Sequence, residues 1–186
     1  MRIVGGRLRG RALVTPANEA IRPTSDRVRE SVFNILAHGI EGFALEGARV
    51  VDMFAGTGAL GLEALSRGAA YGLFVEEDPE ARALIRQNIE AFGLTGVTRI
   101  FRRDATDLGP AANMAQFSLA FLDPPYGKGL GQKGLVALRD GSWLTPGAVI
   151  VLEERANPSV TLLPEGFTEL DRRTWGDTQA VFGRLG

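Results

Sequence analysis

From residue 49 onward, short apolar runs alternate with longer segments whose apolar residues recur at helical spacing. "RVVDMFA" (49–55), "YGLFVEE" (71–77), "VTRIFRRDA" (97–105), "FSLAFLD" (117–123) and "AVIVLEE" (148–154) read as strands. Between them, "ALGLEALSRG" (59–68), "DPEARALIRQNIEAFG" (78–93) and "KGLVALRDG" (133–141) read as helices. The second of these has Asp78 as a cap, Pro79 at the first helical position and Gly93 at the exit. Strand and helix in alternation predict a mostly parallel sheet covered on both faces. The tail, "FTELDRRTWGDTQAVFGRL" (167–185), adds two strands around the turn "WGD", which places an antiparallel strand at the end of that sheet.

Two elements precede the alternation. "RIVGGRLRGRALVTP" (2–16) has period two, with Arg7, Arg9 and Arg11 on one side and Leu8 and Ala12 on the other. With Gly5-Gly6 as a turn it predicts a small hairpin with an arginine-lined face. "TSDRVRESVFNILA" predicts a helix from Ser25 to Ala37, capped by Thr24 or Ser25, with Val28, Val32, Phe33 and Leu36 as its apolar stripe. The expected layout is a basic arm over residues 1–20 and a catalytic domain over 21–186.

Composition narrows the function classes. The 186 residues are 45% hydrophobic and 23% charged, as in an ordinary globular protein. No stretch approaches the roughly 20 apolar residues of a membrane span. The amino terminus has no apolar signal-peptide centre, so a cytoplasmic monomer is expected. There is no cysteine and a single histidine, His38, which argues against metal clusters. The net charge of −1 hides an asymmetry. Residues 1–29 carry seven arginines against Glu19 and Asp26, a local charge of +5 that leaves −6 for the remainder. A basic arm on an acidic body suits a polyanionic partner.

The candidate chemistry lies at the strand ends. Gly56, Gly58 and Gly61 between the first strand and its helix satisfy G-x-G-x-x-G, and Glu76 lies 20 residues after Gly56, where a ribose-binding acid would sit. Asp52, just before the turn, suits a cationic amino group and would repel a pyrophosphate. That favours S-adenosylmethionine over NAD. Asp104, at the third strand's end, can accept from an adenine amine.

"DPPY" (123–126) ends the fourth strand stiffly, since prolines fix φ and donate no N–H. An exocyclic amine on a nucleobase is a poor nucleophile, because its lone pair is delocalised into the ring. Hydrogen bonds to the Asp123 carboxylate and the Pro124 carbonyl would position it for in-line attack on a sulfonium methyl. Pro125 stiffens the same loop, and Tyr126 offers a ring for the base to stack on. A base in a helix must be flipped or single-stranded to reach such a pocket.

"DMFAGTGALGLEALSRGA" and "FLDPPYGKG" resemble motifs of class I, S-adenosylmethionine-dependent methyltransferases that act on amino nitrogens. "RIVGGRLRGRAL" and "IRPTSDRVRESVFNIL" resemble the RsmD family of bacterial 16S rRNA guanine-N2 methyltransferases. The resemblance implies a seven-stranded Rossmann-like sheet with an amino-terminal β-hairpin extension. It implies cofactor contacts at Asp52, Phe54, Gly56, Gly58, Glu76 and Asp104, with Thr24 and Arg27 close by. Asp123, Pro124, Pro125 and Tyr126 would form the target-base site. The implied substrate is 16S rRNA, within small-subunit particles that carry protein.

Glu76 and Glu77 both follow Val75, and either could meet the ribose depending on strand register. Lys128 and Lys133 are phosphate contacts or solubilising charges. Glu153 and Glu154 end a strand near the site and could simply pair with Arg155. The rivals are a DNA adenine-N6 methyltransferase, a non-catalytic RNA-binding assembly factor and an NAD-dependent dehydrogenase. The first usually carries a target-recognition domain, the second has no need of an intact "DPPY", and the third needs a proton relay.

Overall fold

The structure, a computed structural model, describes residues 1–17, 25–156 and 163–186. Helix α1 (Asp26–His38) starts where Ser25 Oγ accepts the Val28 N–H at 3.2 Å. Strands β1 (Arg49–Met53), β2 (Tyr71–Val75), β3 (Thr98–Phe101), β4 (Phe117–Leu122) and β5 (Leu144–Arg155) follow, with α2 (Ala59–Ser66), α3 (Pro79–Ala91) and α4 (Leu130–Asp140) between them. β6 (Phe167–Trp175) and β7 (Thr178–Leu185) close the chain.

The seven strands form one sheet in the order β3-β2-β1-β4-β5-β7-β6. β1 to β5 pair in parallel, and β7 runs antiparallel between β5 and β6. The mostly parallel sheet with an antiparallel closing strand is the one expected from the strand and helix alternation.

Both faces of the sheet are buried, as crossover helices require. Along β1, β4 and β5, Val50, Leu119, Phe121, Val149 and Val151 pack toward α1. The alternate residues Val51, Ala120, Leu122, Ile150 and Leu152 pack toward α4, Leu108 and Trp143. Trp143 is buried against Phe117 and donates its indole N–H to the Gly109 carbonyl at 2.8 Å. A third cluster joins Ile3, Leu8 and Leu13 to α2, α3 and Phe74.

The amino-terminal hairpin expected from period two is reduced to a short antiparallel pairing of residues 1–3 with 10–13. The chain makes one isolated antiparallel bridge, Arg2 to Ala12, around turns at residues 5–10. Gly6 and Gly10 adopt φ of 78° and 86°, which breaks a ladder. At Gly6 the backbone presses so closely on α2 that a Cβ would lie 1.9 Å from the Ser66 carbonyl oxygen. Every fifth residue faces inward (Ile3, Leu8, Leu13) and Ala12 is exposed, so packing against α2 and α3 overrides the alternation.

The arm is held by buried polar side chains, among them Ser66 on α2, which accepts the Leu8 N–H at 3.0 Å and donates to the Gly5 carbonyl at 2.6 Å. Glu63 on α2 accepts the Val4 and Gly5 N–H groups at 2.9 Å each, and pairs with Arg29 at 3.0 Å and Arg67 at 2.9 Å. Arg29, itself fully buried, also donates to the Arg2 carbonyl and to Asp26. Asn88 on α3 accepts the Val14 N–H at 2.7 Å and donates to the carbonyls of Val14 and Thr57. One side chain thus connects the arm to the glycine turn.

Candidate active site

Because β1 to β5 are parallel, their carboxyl ends meet at one edge. Asp52, Glu76, Asp104, Asp123 and Glu153 lie at or just beyond those ends and line one cleft of about 1050 Å³. Phe54, Gly56, Pro124, Pro125 and Tyr126 line it too. The residues read from sequence as a cofactor turn and a base site therefore share a single space.

The glycine turn is bent sharply. Phe54, Gly56 and Gly58 all have positive φ, at 56°, 58° and 79°. A phenylalanine there is uncommon, and its strain sits at the mouth of the cleft. The Phe54 ring lies against Gly134 of α4, where a Cβ would stand 3.2 Å from the ring. Gly61 lets α2 lie on β2, since a Cβ would come within 2.6 Å of the Phe74 ring. Its bare N–H also reaches Asp52 Oδ2 at 3.0 Å.

Asp52 is buried, and burial is the largest influence on its carboxyl, pushing its pKa well above the ordinary value. The Gly61 hydrogen bond opposes this, while the negative charges of Asp123 and Glu76 push it further up. Such a group gains from a cation beside it. Glu76 bridges two loops: Oε1 accepts the Gly56 N–H at 2.8 Å and Oε2 the Asp78 N–H at 3.0 Å. Its remaining lone pairs can still accept from hydroxyls. Glu77 is exposed at the rim of the same cleft. Asp104 Oδ1 accepts from the N–H and the hydroxyl of Thr106, at 2.8 and 2.7 Å.

The loop that follows β4, Asp123 to Gly127, is braced from β5 and β7. Glu154 Oε1 accepts the Gly127 N–H at 3.1 Å and the Arg155 N–H at 3.0 Å. The Tyr126 hydroxyl is hydrogen-bonded to Thr178, and burial raises its pKa, with Asp123, Glu153 and Glu154 adding to the rise. The ring therefore stays a neutral phenol in a fixed orientation. None of these braces was read from the sequence. Glu154 meets the backbone N–H of Arg155, whereas pairing with Arg155 or neighbouring arginines was one alternative open from the sequence.

The other expected sites fall elsewhere. Gly58 caps α2 one step behind the cleft lining. Arg27 is exposed and outside that lining, which takes Ser25 and Val28 from the start of α1 in its place. The helix turns Arg27 outward while its buried face carries Arg29 and Val32. Thr24 lies outside the described residues. Arg7, Arg9 and Arg11 are exposed. Arg11 lies over the Phe92 ring and donates to the Ala91 carbonyl at 2.8 Å. His38, the last residue of α1, is exposed. Among the described residues no group of His, Asp or Glu is arranged to hold a metal, and no helix is long and apolar enough to cross a membrane.

The cleft's chemistry fits S-adenosylmethionine. Five carboxylates stand at its strand ends against the guanidinium groups of Arg103 and Arg155, and a buried aspartate without a cationic partner among the described residues faces the turn. That environment suits an ammonium and a sulfonium and disfavours a pyrophosphate.

Comparison with known proteins agrees. The family described as Conserved hypothetical protein 95 matches residues 1–184. The chain belongs to this family, the RsmD family. Ribosomal RNA small subunit methyltransferase D of Escherichia coli K12 is 35% identical over 168 residues, covering 90% of this chain and 81% of the relative. The protein of the same name from Haemophilus influenzae is 35% identical over 179 residues, covering 95% and 89%. The solved structure of yhhF from Escherichia coli, described as a methyltransferase, superposes with a TM-score of 0.84 at 31% identity, covering 100% of this chain and 97% of that one. The expectations of a class I fold, a methyltransferase and S-adenosylmethionine as methyl donor are borne out.

Proposed function

We propose that this RsmD-family enzyme methylates the exocyclic N2 amine of a guanine in 16S rRNA of the bacterial small ribosomal subunit. The observation that carries this reading is the placement of Asp123-Pro-Pro-Tyr in one cleft with the acidic glycine turn, in a chain whose relatives are named for small-subunit rRNA methylation.

In this reading Asp52, Phe54, Gly56, Glu76 and Asp104 hold the cofactor, which when bound supplies an electrophilic methyl group. Asp123 accepts one N–H of the target amine and the Pro124 carbonyl accepts the other. The nitrogen lone pair is then directed away from the ring, and Asp123 is placed to take the proton that the nitrogen must lose. Tyr126, fixed by Thr178, stacks on the extruded base, a contact worth about 1–3 kcal/mol. Pro124 and Pro125 keep the carbonyl from turning. Residues 1–20 serve as a basic arm on the domain 21–186, with Arg7 and Arg9 free to meet phosphates and Arg11 braced against Phe92. The enzyme works as a monomer in the cytoplasm, on particles of the small subunit.

The test is methyl transfer from labelled S-adenosylmethionine to unmodified 16S rRNA and to small subunits lacking the modification, followed by nucleoside analysis. N2-methylguanosine is the expected product. N6-methyladenosine, or no product on either substrate, would refute the reading.

A further inference from the structure

The proposed reaction uses Asp123, but a second carboxylate stands next to it. β4 and β5 pair with Leu122 opposite Leu152, so the following residues, Asp123 just past β4 and Glu153 still within β5 and opposite Ala180 of β7, stand side by side. Neighbouring strands lie about 4.8 Å apart. Leu122 and Leu152 face the α4 side, and alternation turns Asp123 and Glu153 to the other. Glu153 is 1% exposed and lines the cleft with Asp123, Tyr126 and Thr178. Both carboxylates act electrostatically on the Tyr126 hydroxyl. It is Glu154, on the opposite face, that braces the Gly127 loop.

Two carboxylates side by side in the lining of a cleft match a ligand with several donors along one edge. Guanine has such an edge: its ring N1–H lies directly beside the N2 amine. Adenine instead sets an acceptor, N1, beside its N6 amine. We propose that Glu153 selects guanine by accepting the ring N1–H while Asp123 holds the N2 amine. The assignment rests on the reading that guanine N2 is the target. An adenine in the same pose would turn its N1 lone pair toward a buried carboxylate, leaving two acceptors opposed, and a site built around a hydrogen bond rejects a partner that cannot make it.

The probe is 2-aminopurine, which keeps the N2 amine but carries an acceptor at N1. It is placed at the methylated position in reconstituted small subunits, once nucleoside mapping of the parent product has located that position. The parent's kcat/KM should fall by about 100-fold or more on this substrate. Glu153→Gln, whose amide can donate to N1, should narrow the guanine to 2-aminopurine ratio to within about tenfold by slowing guanine and sparing 2-aminopurine. Its melting temperature and cofactor affinity should stay at the parent values. Equal rates of the parent on guanine and 2-aminopurine would overturn the assignment without recourse to any variant. So would a folded Glu153→Gln that keeps the parent's ratio. A parent product other than N2-methylguanosine would instead defeat the reading of the reaction, before Glu153 is tested.

Discussion

Two acids removed from water, Asp52 at the end of β1 and Glu63 on α2, sit in opposite surroundings. Glu63 is enclosed by the Arg29 and Arg67 guanidinium groups and two backbone N–H groups of the arm. Asp52 accepts the Gly61 N–H and is otherwise pressed by the charges of Glu76 and Asp123. The first arrangement satisfies a buried charge from within, and its removal leaves a buried cation short of a carboxylate. The second meets its charge with one backbone N–H and no cation among the described residues. Burial alone therefore does not distinguish a structural acid from a functional one. The sign of the surroundings does.

The largest effect should come from breaking the satisfied site. Glu63→Ala takes from buried Arg29 the carboxylate it meets inside the protein, leaving it Asp26, and strips Val4 and Gly5 of their acceptor, which should cost about 3–5 kcal/mol. For a chain of this size that is a fall of about 10 °C or more in melting temperature, read by thermal unfolding without cofactor. An unchanged melting temperature would remove Glu63 from the role of joint. Asp123→Ala touches the acid cluster of the cleft, so it should leave folding and cofactor binding near the parent values. It should lower turnover by about 100-fold or more, the scale of losing a positioned catalytic group. Methylation at the parent rate would exclude Asp123 from the chemistry.

Asp52→Asn sharpens the contrast through pH. The folded-state pKa of Asp52 is raised, so the folded protein holds this proton to higher pH than the unfolded chain does. Stability from Asp52 is then fully present below the unfolded value and lost as pH rises toward the folded one. The cofactor-free variant should match the parent in mild acid and become the more stable of the two toward neutrality. Its affinity for S-adenosylmethionine, measured by calorimetric titration, should fall by about tenfold or more, since a charge-assisted hydrogen bond becomes a neutral one. A stability difference that is flat with pH would contradict the raised pKa of Asp52.

The smallest effect belongs to the arm's surface. Replacing Arg7, Arg9 and Arg11 by alanine should reduce the slope of log K against log salt for small-subunit binding by about two to three units if each meets one phosphate. Cofactor affinity should not move, because Glu63 and Asn88 still hold the arm. Filter binding across salt reads the slope, and equal slopes would make these arginines a solvated face.

Most of the sheet was legible because each buried strand announces itself as a short apolar run between glycine-containing or capped boundaries. The active-site loops were legible for a different reason: Asp52, the glycines, Glu76 and Asp123 fall at strand ends that a parallel sheet must bring to one edge. What stayed hidden depends on contacts far apart in sequence. Period two in residues 2–16 suggested a hairpin, but the register of that segment is set by Glu63 and Asn88, about which local spacing says nothing. The bracing of Gly127 by Glu154 and of Tyr126 by Thr178 crosses 27 residues or more, and a Glu-Glu-Arg run looks locally like an ion pair. Arg27 and Arg29 are both arginines on α1, and only packing shows that the latter is the buried one.

The Asn88 contact has a consequence for synthesis on the ribosome. Val14 and Asn88 are 74 residues apart. At a translation rate of about 5–20 residues per second, the arm emerges roughly 4–15 seconds before its docking site on α3 exists. During that interval the first strands can begin to collapse, and Ile3, Leu8 and Leu13 have only the α2 half of their cluster to pack on. The nascent chain therefore begins its life as an undocked arginine-rich tail beside a large polyanion, drawn onto the body of the enzyme first by α2 and fully only once α3 is complete.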